Sequence, residues 1–250
     1  MEVGGRWSAE AYDFLTALAS GKDYLTTPAA ILTIALTGGV NQNANTAGTL
    51  ATAFDQLEDE DTVALDILFS PGMSGRADHV TAVNDITATA VARKDCIAVA
   101  SPARSDIVGV ASPATMVTNT MLTAKDMTFG SYLVVDNNFL KVYDKYNDKY
   151  IMIPAASSTA GIMAATDNNA APWVSPAGTR RGNYLGITSL AYSPTKAQRD
   201  KIYPARINPV VTQPGVGTIL FGDKTGLGYA SAFDRINVRR LFLTIEQALE

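Results

Sequence analysis

Residues 63–69 (VALDILF) and 96–100 (CIAVA) are short apolar runs. Between them Val80, Val83, Ile86, Ala90 and Val91 recur on one face of a helix over about 77–93. The first run is stopped by Ser70-Pro71-Gly72, and strands this short and this apolar are buried on both faces. The same rhythm continues outward. Upstream, residues 31–37 (ILTIALT) predict a strand closed by Gly38-Gly39, and Leu50, Ala53, Phe54 and Leu57 predict a helix over 46–57. Downstream, Ser112-Pro113 supplies a capping hydroxyl and a first-turn proline for a helix to about Ala124, and residues 131–135 (SYLVV) predict a further strand. Strand and helix in alternation imply an α/β fold: a mostly parallel layered sheet with helices on both faces.

Beyond Asp136 the texture changes. Residues 139–143 and 149–153 alternate around Asp144–Asp148, a β-hairpin pattern, and residues 154–166 suit a short helix. A turn-rich stretch from Asp167 to Asn183 follows. Asn208–Thr212 and Thr218–Phe221 predict strands joined through Pro214-Gly215-Val216-Gly217. At the end, Val238, Leu241, Phe242, Ile245 and Leu249 form one apolar stripe, with Arg239, Arg240 and Gln247 off it. The expected organisation is a remnant of a neighbouring region at 1–30 and one core domain at 31–250. Within that domain, βα repeats over 31–136 precede mixed α+β elements over 137–250.

Apolar residues are 47% of the 250 and charged ones 18%, the composition of a folded chain able to bury a core. No run of 18 apolar residues suggests a membrane span, and the N-terminus lacks the pattern of a secretory signal. The single cysteine, Cys96, excludes an intrachain disulfide and reads as a small buried apolar residue. A net charge of −4 argues against a nucleic-acid binder. From Thr179 to Glu250 there are ten Lys+Arg against five Asp+Glu, a net +5 that leaves −9 on the first 178 residues. A chain divided in this way can attract a second copy of itself head to tail.

Three features invite an enzymatic reading and none sustains it. Gly38-Gly39 with Gly48 lacks the G-x-G-x-x-G spacing, and the next strand ends Phe69-Ser70 without a ribose-binding acid. Gly217 to Thr225 (GTILFGDKT) nearly matches a P-loop, but Asp223 shifts Lys224 out of register and places a carboxylate where phosphate would lie. His79, the only histidine, falls in the first turn of the 77–93 helix and reads as ordinary surface; one His and one Cys make no metal or triad set. The acidic turn Glu58-Asp59-Glu60-Asp61 is a solvated loop. No catalytic residue, cofactor site or metal site is assigned.

The C-terminal third is more specific. Ala171 to Gly178 (APWVSPAG) resembles the APW-x-x-PAG segment of contractile phage tail sheath proteins. Asn208 to Val216 (NPVVTQPGV), Gly217 to Lys224 (GTILFGDK) and Ile236 to Phe242 (INVRRLF) resemble that family's closing segments in the same order. Upstream, Gly38-Gly39-Val40, Asp66 to Gly72 and Arg93-Lys94-Asp95 also fall where the family would place them. The resemblance covers about residues 31–250, with the family's C-terminal domain and most of its N-terminal part lacking. It implies a myovirus sheath subunit located in the virion tail and assembled in the host cytoplasm. The implied partners are copies of itself in stacked six-membered rings, the tail tube protein, and the baseplate and tail terminator proteins, with no nucleic acid and no membrane. Contraction of such a polymer drives the tube into the host envelope. Arg180, Arg181, Arg239 and Arg240 are the candidate subunit contacts, with internal bracing as the alternative role. Two other readings compete: the sheath of a related bacterial contractile injection system, and a nucleotide-binding enzyme on a doubly wound fold.

Overall fold

The computed structural model describes residues 45–249. The strand expected at 31–37, the Gly38-Gly39 turn and the region 1–30 lie outside the described residues. Four parallel strands form the central sheet: β1 (Ile67–Phe69), β2 (Ile97–Ala100), β3 (Leu133–Asp136) and β7 (Ile207–Asn208), in the order β1-β2-β3-β7. Because successive side chains of a strand point to opposite faces, each strand feeds two cores. On one face Leu68, Ala98, Ala100, Leu133, Val135 and Ile207 pack with Val83, Ile86 and Ala90 of α2 (Arg76–Arg93), Met116 and Val117 of α4 (Pro113–Asp126), and Ile202 of α6 (Lys196–Ile202). On the other, Ile97, Val99 and Val134 pack with Ala160 and Met163 of α5 (Ala156–Asn169) and with Ile236 and Leu243 of α7 (Ile236–Leu249). Full burial of each Val, Leu or Ile contributes about 1.5–3 kcal/mol, so this double-sided burial dominates the sheet's stability.

Local signals set the boundaries. Helix α1 (Ala47–Phe54) opens on a capping box between Thr46 and Thr49 and runs into a 3-10 turn at Asp55–Leu57, filling the expected 46–57. Helix α2 stops where Lys94 turns left-handed at φ 64. Strand β1 is shorter than the expected 63–69, because the carbonyl of Val63 is taken by Arg93 instead of a strand neighbour. The Ser112 side chain makes no capping bond; Pro113 in the first turn opens α4 unaided. A single turn, α3 (Arg104–Ile107), precedes it.

The hairpin is present as β4 (Phe139–Asp144) and β5 (Lys149–Pro154), joined antiparallel, with β6 (Ser189–Leu190) on the far side of β4. The expected strand 208–212 is two strands. Pro209 has no N–H to donate, so Asn208 ends the parallel sheet and β8 (Val210–Gln213) starts a separate hairpin with β9 (Gly217–Leu220).

Helix α7 departs most from expectation. The apolar stripe faces out: Phe242, Ile245 and Leu249 are 38%, 41% and 82% exposed. The buried face is Ile236, Arg239, Arg240 and Leu243. Arg239 lies between two rings, 4.3 Å from the Tyr132 centroid and 4.2 Å from that of Phe233, and donates to Ser131 Oγ at 2.6 Å. Arg240 pairs with Asp167 of α5 and donates to the carbonyl of Met163. A planar guanidinium can stack on aromatic faces and reach a carboxylate, so it buries where lysine would not. Arg240→Met is expected to cost about 2–3 kcal/mol, since it strands the Asp167 carboxylate. Leu249→Ser should stay within about 0.5 kcal/mol. Urea unfolding checks both; equal losses would contradict the inverted orientation of α7.

Candidate functional site

In open α/β sheets ligands bind beyond the carboxyl ends of the parallel strands. In this chain that edge is occupied by its own side chains. Ser101 follows β2, Asp136 ends β3 with Asn137 and Asn138 behind it, and Asn208 ends β7; all five are buried. Ser101 Oγ donates to Asp136 Oδ1 at 2.8 Å and accepts the Ala156 amide at 2.7 Å, which fixes the start of α5. Thr159 Oγ1 donates to Asp136 Oδ2 at 3.1 Å and meets the Tyr184 hydroxyl at 2.8 Å. Asn137 donates to Tyr192 Oη at 2.9 Å and accepts the Val210 amide at 2.7 Å, while Asn138 Nδ2 donates to the Tyr192 carbonyl. Asn208 donates to the carbonyls of Val135 and Lys224 and accepts the Lys224 amide. A crevice that could hold a nucleotide is filled by a polar plug with its hydrogen bonds satisfied internally.

Burial pushes the Asp136 carboxyl up to about 7, against the lowering from its Ser101, Asn138 and Thr159 hydrogen bonds. No cation pairs with it among the described residues. Nor is His79 surface, as expected from its position in the first turn of α2. It is fully buried, with Nε2 2.7 Å from the Ser101 carbonyl and Nδ1 accepting the Met73 amide at 3.2 Å. Those partners fix a neutral imidazole, and burial lowers its pKa. The Cys96 thiol is buried and pushed up to about 12, which leaves it unreactive.

The segment that nearly matches a P-loop has another use. Gly222 is required because a Cβ there would fall 2.8 Å from Asn208 Oδ1 and from the Tyr203 ring. Lys224 stacks over Tyr203 at 4.0 Å. Asp223, the residue that spoils the motif, joins the stretches whose wording is most specific: it accepts from Ser175 Oγ at 3.0 Å and from Arg235 at 2.5 Å, and its carbonyl accepts the Ile236 amide. Asn237 in turn donates to the Trp173 carbonyl. Sequence reading missed this junction because the three segments are far apart along the chain.

The four candidate arginines divide. Arg239 and Arg240 are engaged inside the chain, as described above, whereas Arg180 and Arg181 are exposed and make no ion pair among the described residues. No group of three His, Cys, Asp or Glu among the described residues could hold a metal ion. No described helix is long and apolar enough to cross a membrane. The carboxyl edge of this α/β domain is thus closed by its own side chains, and the charge of Arg180 and Arg181 is displayed outward.

No family model matches the chain. It is 37% identical over 226 residues to the tail sheath protein of Enterobacteria phage T4, covering 84% of this chain and 33% of the phage protein. It is 35% identical over 230 residues to that of Vibrio phage KVP40, covering 85% and 34%. It therefore spans about a third of the length of these relatives. The tail sheath protein of Salmonella phage ViI is 47% identical over 117 residues, 47% of this chain and 18% of that protein. Among solved structures, the helical sheath of the anti-feeding prophage in its contracted state superposes with a TM-score of 0.58 at 20% identity, over 82% of this chain and 51% of the other. The contracted PVC sheath complex gives 0.57 at 18%, over 78% and 49%. These two show a shared fold. Over most of its length the chain is homologous to the tail sheath proteins of contractile-tailed phages and belongs to that family.

The plug makes stability depend on pH. Asp136 titrates near 3.8 when unfolded and about 7 when folded, so the unfolded chain binds fewer protons in that window and stability falls as pH rises from about 4 to 7. The loss is on the order of 4 kcal/mol and is complete above the folded value. His79 works in the opposite sense, since its lowered pKa costs stability as pH falls below its ordinary 6.5. The difference between the wild type and Asp136→Asn isolates the carboxylate. Thr159 Oγ1 can accept from the new amide, so the variant should gain relative stability steadily from pH 4 to 7; a flat difference would refute a buried, raised Asp136.

Proposed function

We propose that this chain is part of a structural subunit of a phage tail sheath, polymerising around the tail tube and contracting to drive the tube through the host envelope. The observation carrying this reading is the 35–37% identity to two phage tail sheath proteins across 84–85% of the chain. In this reading it acts in the virion tail, after assembly in the host cytoplasm, and is not an enzyme. Its partners are copies of itself in stacked six-membered rings, the tail tube protein, and the baseplate and tail terminator proteins. The injection-system structures share its fold at 18–20% identity, which is a weaker tie than the phage sequences.

The physical features suit this role. An open polymer needs two different patches on each subunit. Exposed ion pairs contribute about 0–1 kcal/mol each, so a lattice held by many of them can exchange one packing for another without breaking a single dominant bond. Arg180 and Arg181 are the candidates for such contacts. Arg239 and Arg240 take the bracing role, because their guanidinium groups already have partners within the subunit. The outward face of α7, with Phe242, Ile245 and Leu249, and the half-exposed Trp173 add apolar surface.

Negative-stain microscopy of the sheath gene's full product tests the reading. It predicts long tubes with a hollow bore. Uniformly small particles at high protein concentration would contradict it.

A further inference from the structure

Two exposed charged loops, residues 58–61 and the loop of Arg180 and Arg181, sit at opposite ends of the parallel sheet. Residues 58–61 are held at the amino edge by Arg93, which lies just ahead of β2. Its guanidinium donates to the carbonyls of Leu57 at 2.6 Å, Asp59 at 3.1 Å and Val63 at 2.7 Å, and pairs with Asp95 at 2.5 Å. The arginine's charge is neutralised by Asp95, not by the turn, so Glu58, Asp59, Glu60 and Asp61 all project exposed and make no ion pair among the described residues.

Arg180 and Arg181 belong to the carboxyl edge. Their loop is pinned to β9: the Gly178 amide donates to the Leu220 carbonyl at 2.9 Å, and the Leu220 amide donates to the Gly182 carbonyl at 2.7 Å. Leu220 pairs with Val210, whose amide is bound by Asn137 directly beyond β3. The loop's backbone is closely packed at its end, since a Cβ on Gly182 would lie 2.9 Å from backbone atoms of Gly178 and Leu220.

Resting on the sheath reading, we propose that the Arg180–Arg181 loop of one subunit docks on the acidic turn Glu58–Asp61 of a second copy, head to tail along the strand direction. The two surfaces have opposite charge, and both loops are braced by the fold, so little backbone freedom is lost on contact. Because they lie at opposite edges, one subunit cannot satisfy itself. The contact is heterologous and propagates, as an open polymer requires. Arginine forks match carboxylates in two-bond geometry, which gives the contact an orientation as well as an attraction.

Charge exchange in the full chain tests this, with self-association followed by sedimentation at low ionic strength. Arg180→Glu with Arg181→Glu, and separately Glu58→Lys with Glu60→Lys, should each weaken association by about tenfold or more and leave thermal unfolding unchanged. Mixing the two variants should recover pairwise association, because the unaltered Arg180–Arg181 loop of one then meets the unaltered acidic turn of the other. All four substitutions in one chain should recover part of it, since the introduced lysines face the introduced glutamates while Asp59 and Asp61 remain. A mixture no better than either variant alone, or a wild type that stays monomeric at low salt, overturns the contact. Normal tubes in microscopy from both variants would overturn the contact while leaving the sheath reading intact, whereas no tubes from the full-length wild type would defeat that reading itself.

Discussion

Polar groups taken out of water must find partners inside the protein, and at the carboxyl edge of the parallel sheet that requirement shapes everything around it. An unpaired buried amide or hydroxyl costs about 1–3 kcal/mol. Ser101, Asp136, Asn137, Asn138 and Asn208 meet the demand by binding the first amide of α5, the first amide of β8 and the backbone of Lys224. Each bond draws a different later segment over the strand ends. Helix α5, the β8–β9 hairpin and the Tyr184 and Tyr192 loops are thereby fixed to the sheet that precedes them. The same bonds close the place where a related architecture would open a ligand crevice.

Helix α7 shows a second consequence of the same economy. By hydrophobicity alone its Val238–Leu249 stripe should face the sheet. The side chains of Arg239 and Arg240 face it instead, because Tyr132, Phe233, Ser131 and Asp167 offer stacking faces and acceptors that only a guanidinium can use together. The apolar residues are left on the outside, where Phe242 meets Phe233 edge-on at 4.9 Å and Ile245 and Leu249 stand free. A surface of that kind suits a subunit whose work is done against other molecules.

Much of the fold was legible in residues. The apolar runs around 67–69, 97–100 and 133–136 are strands of a parallel sheet, and the helices between them lie where periodicity placed them. Helix α6 is not among the expected elements, although Thr195 and Gln198 form a capping box that announces it. Local patterns fail where a long-range partner decides. His79 is buried because Ser101 and Met73 meet it, and neither is implied by its place in a first turn. Val63 leaves its expected strand because Arg93 reaches it from thirty residues away. The stripe of α7 has the right period and the wrong direction, since period fixes which residues share a face but not which face turns inward. The tripeptide Asp136-Asn137-Asn138 after an apolar strand was a visible anomaly, and it marks the plug.

The carboxyl edge is a structural seal and not a closed door. Native-state hydrogen exchange tests it directly at two amides, Ala156 and Val210, which donate to the side chains of Ser101 and Asn137 instead of to a neighbouring strand. A sealed edge predicts that both exchange as slowly as the amides of β2 and β3, opening only with global unfolding. Rapid exchange at Ala156 and Val210, with β2 and β3 still protected, would mean that the edge opens while the sheet stays folded, and would contradict the account.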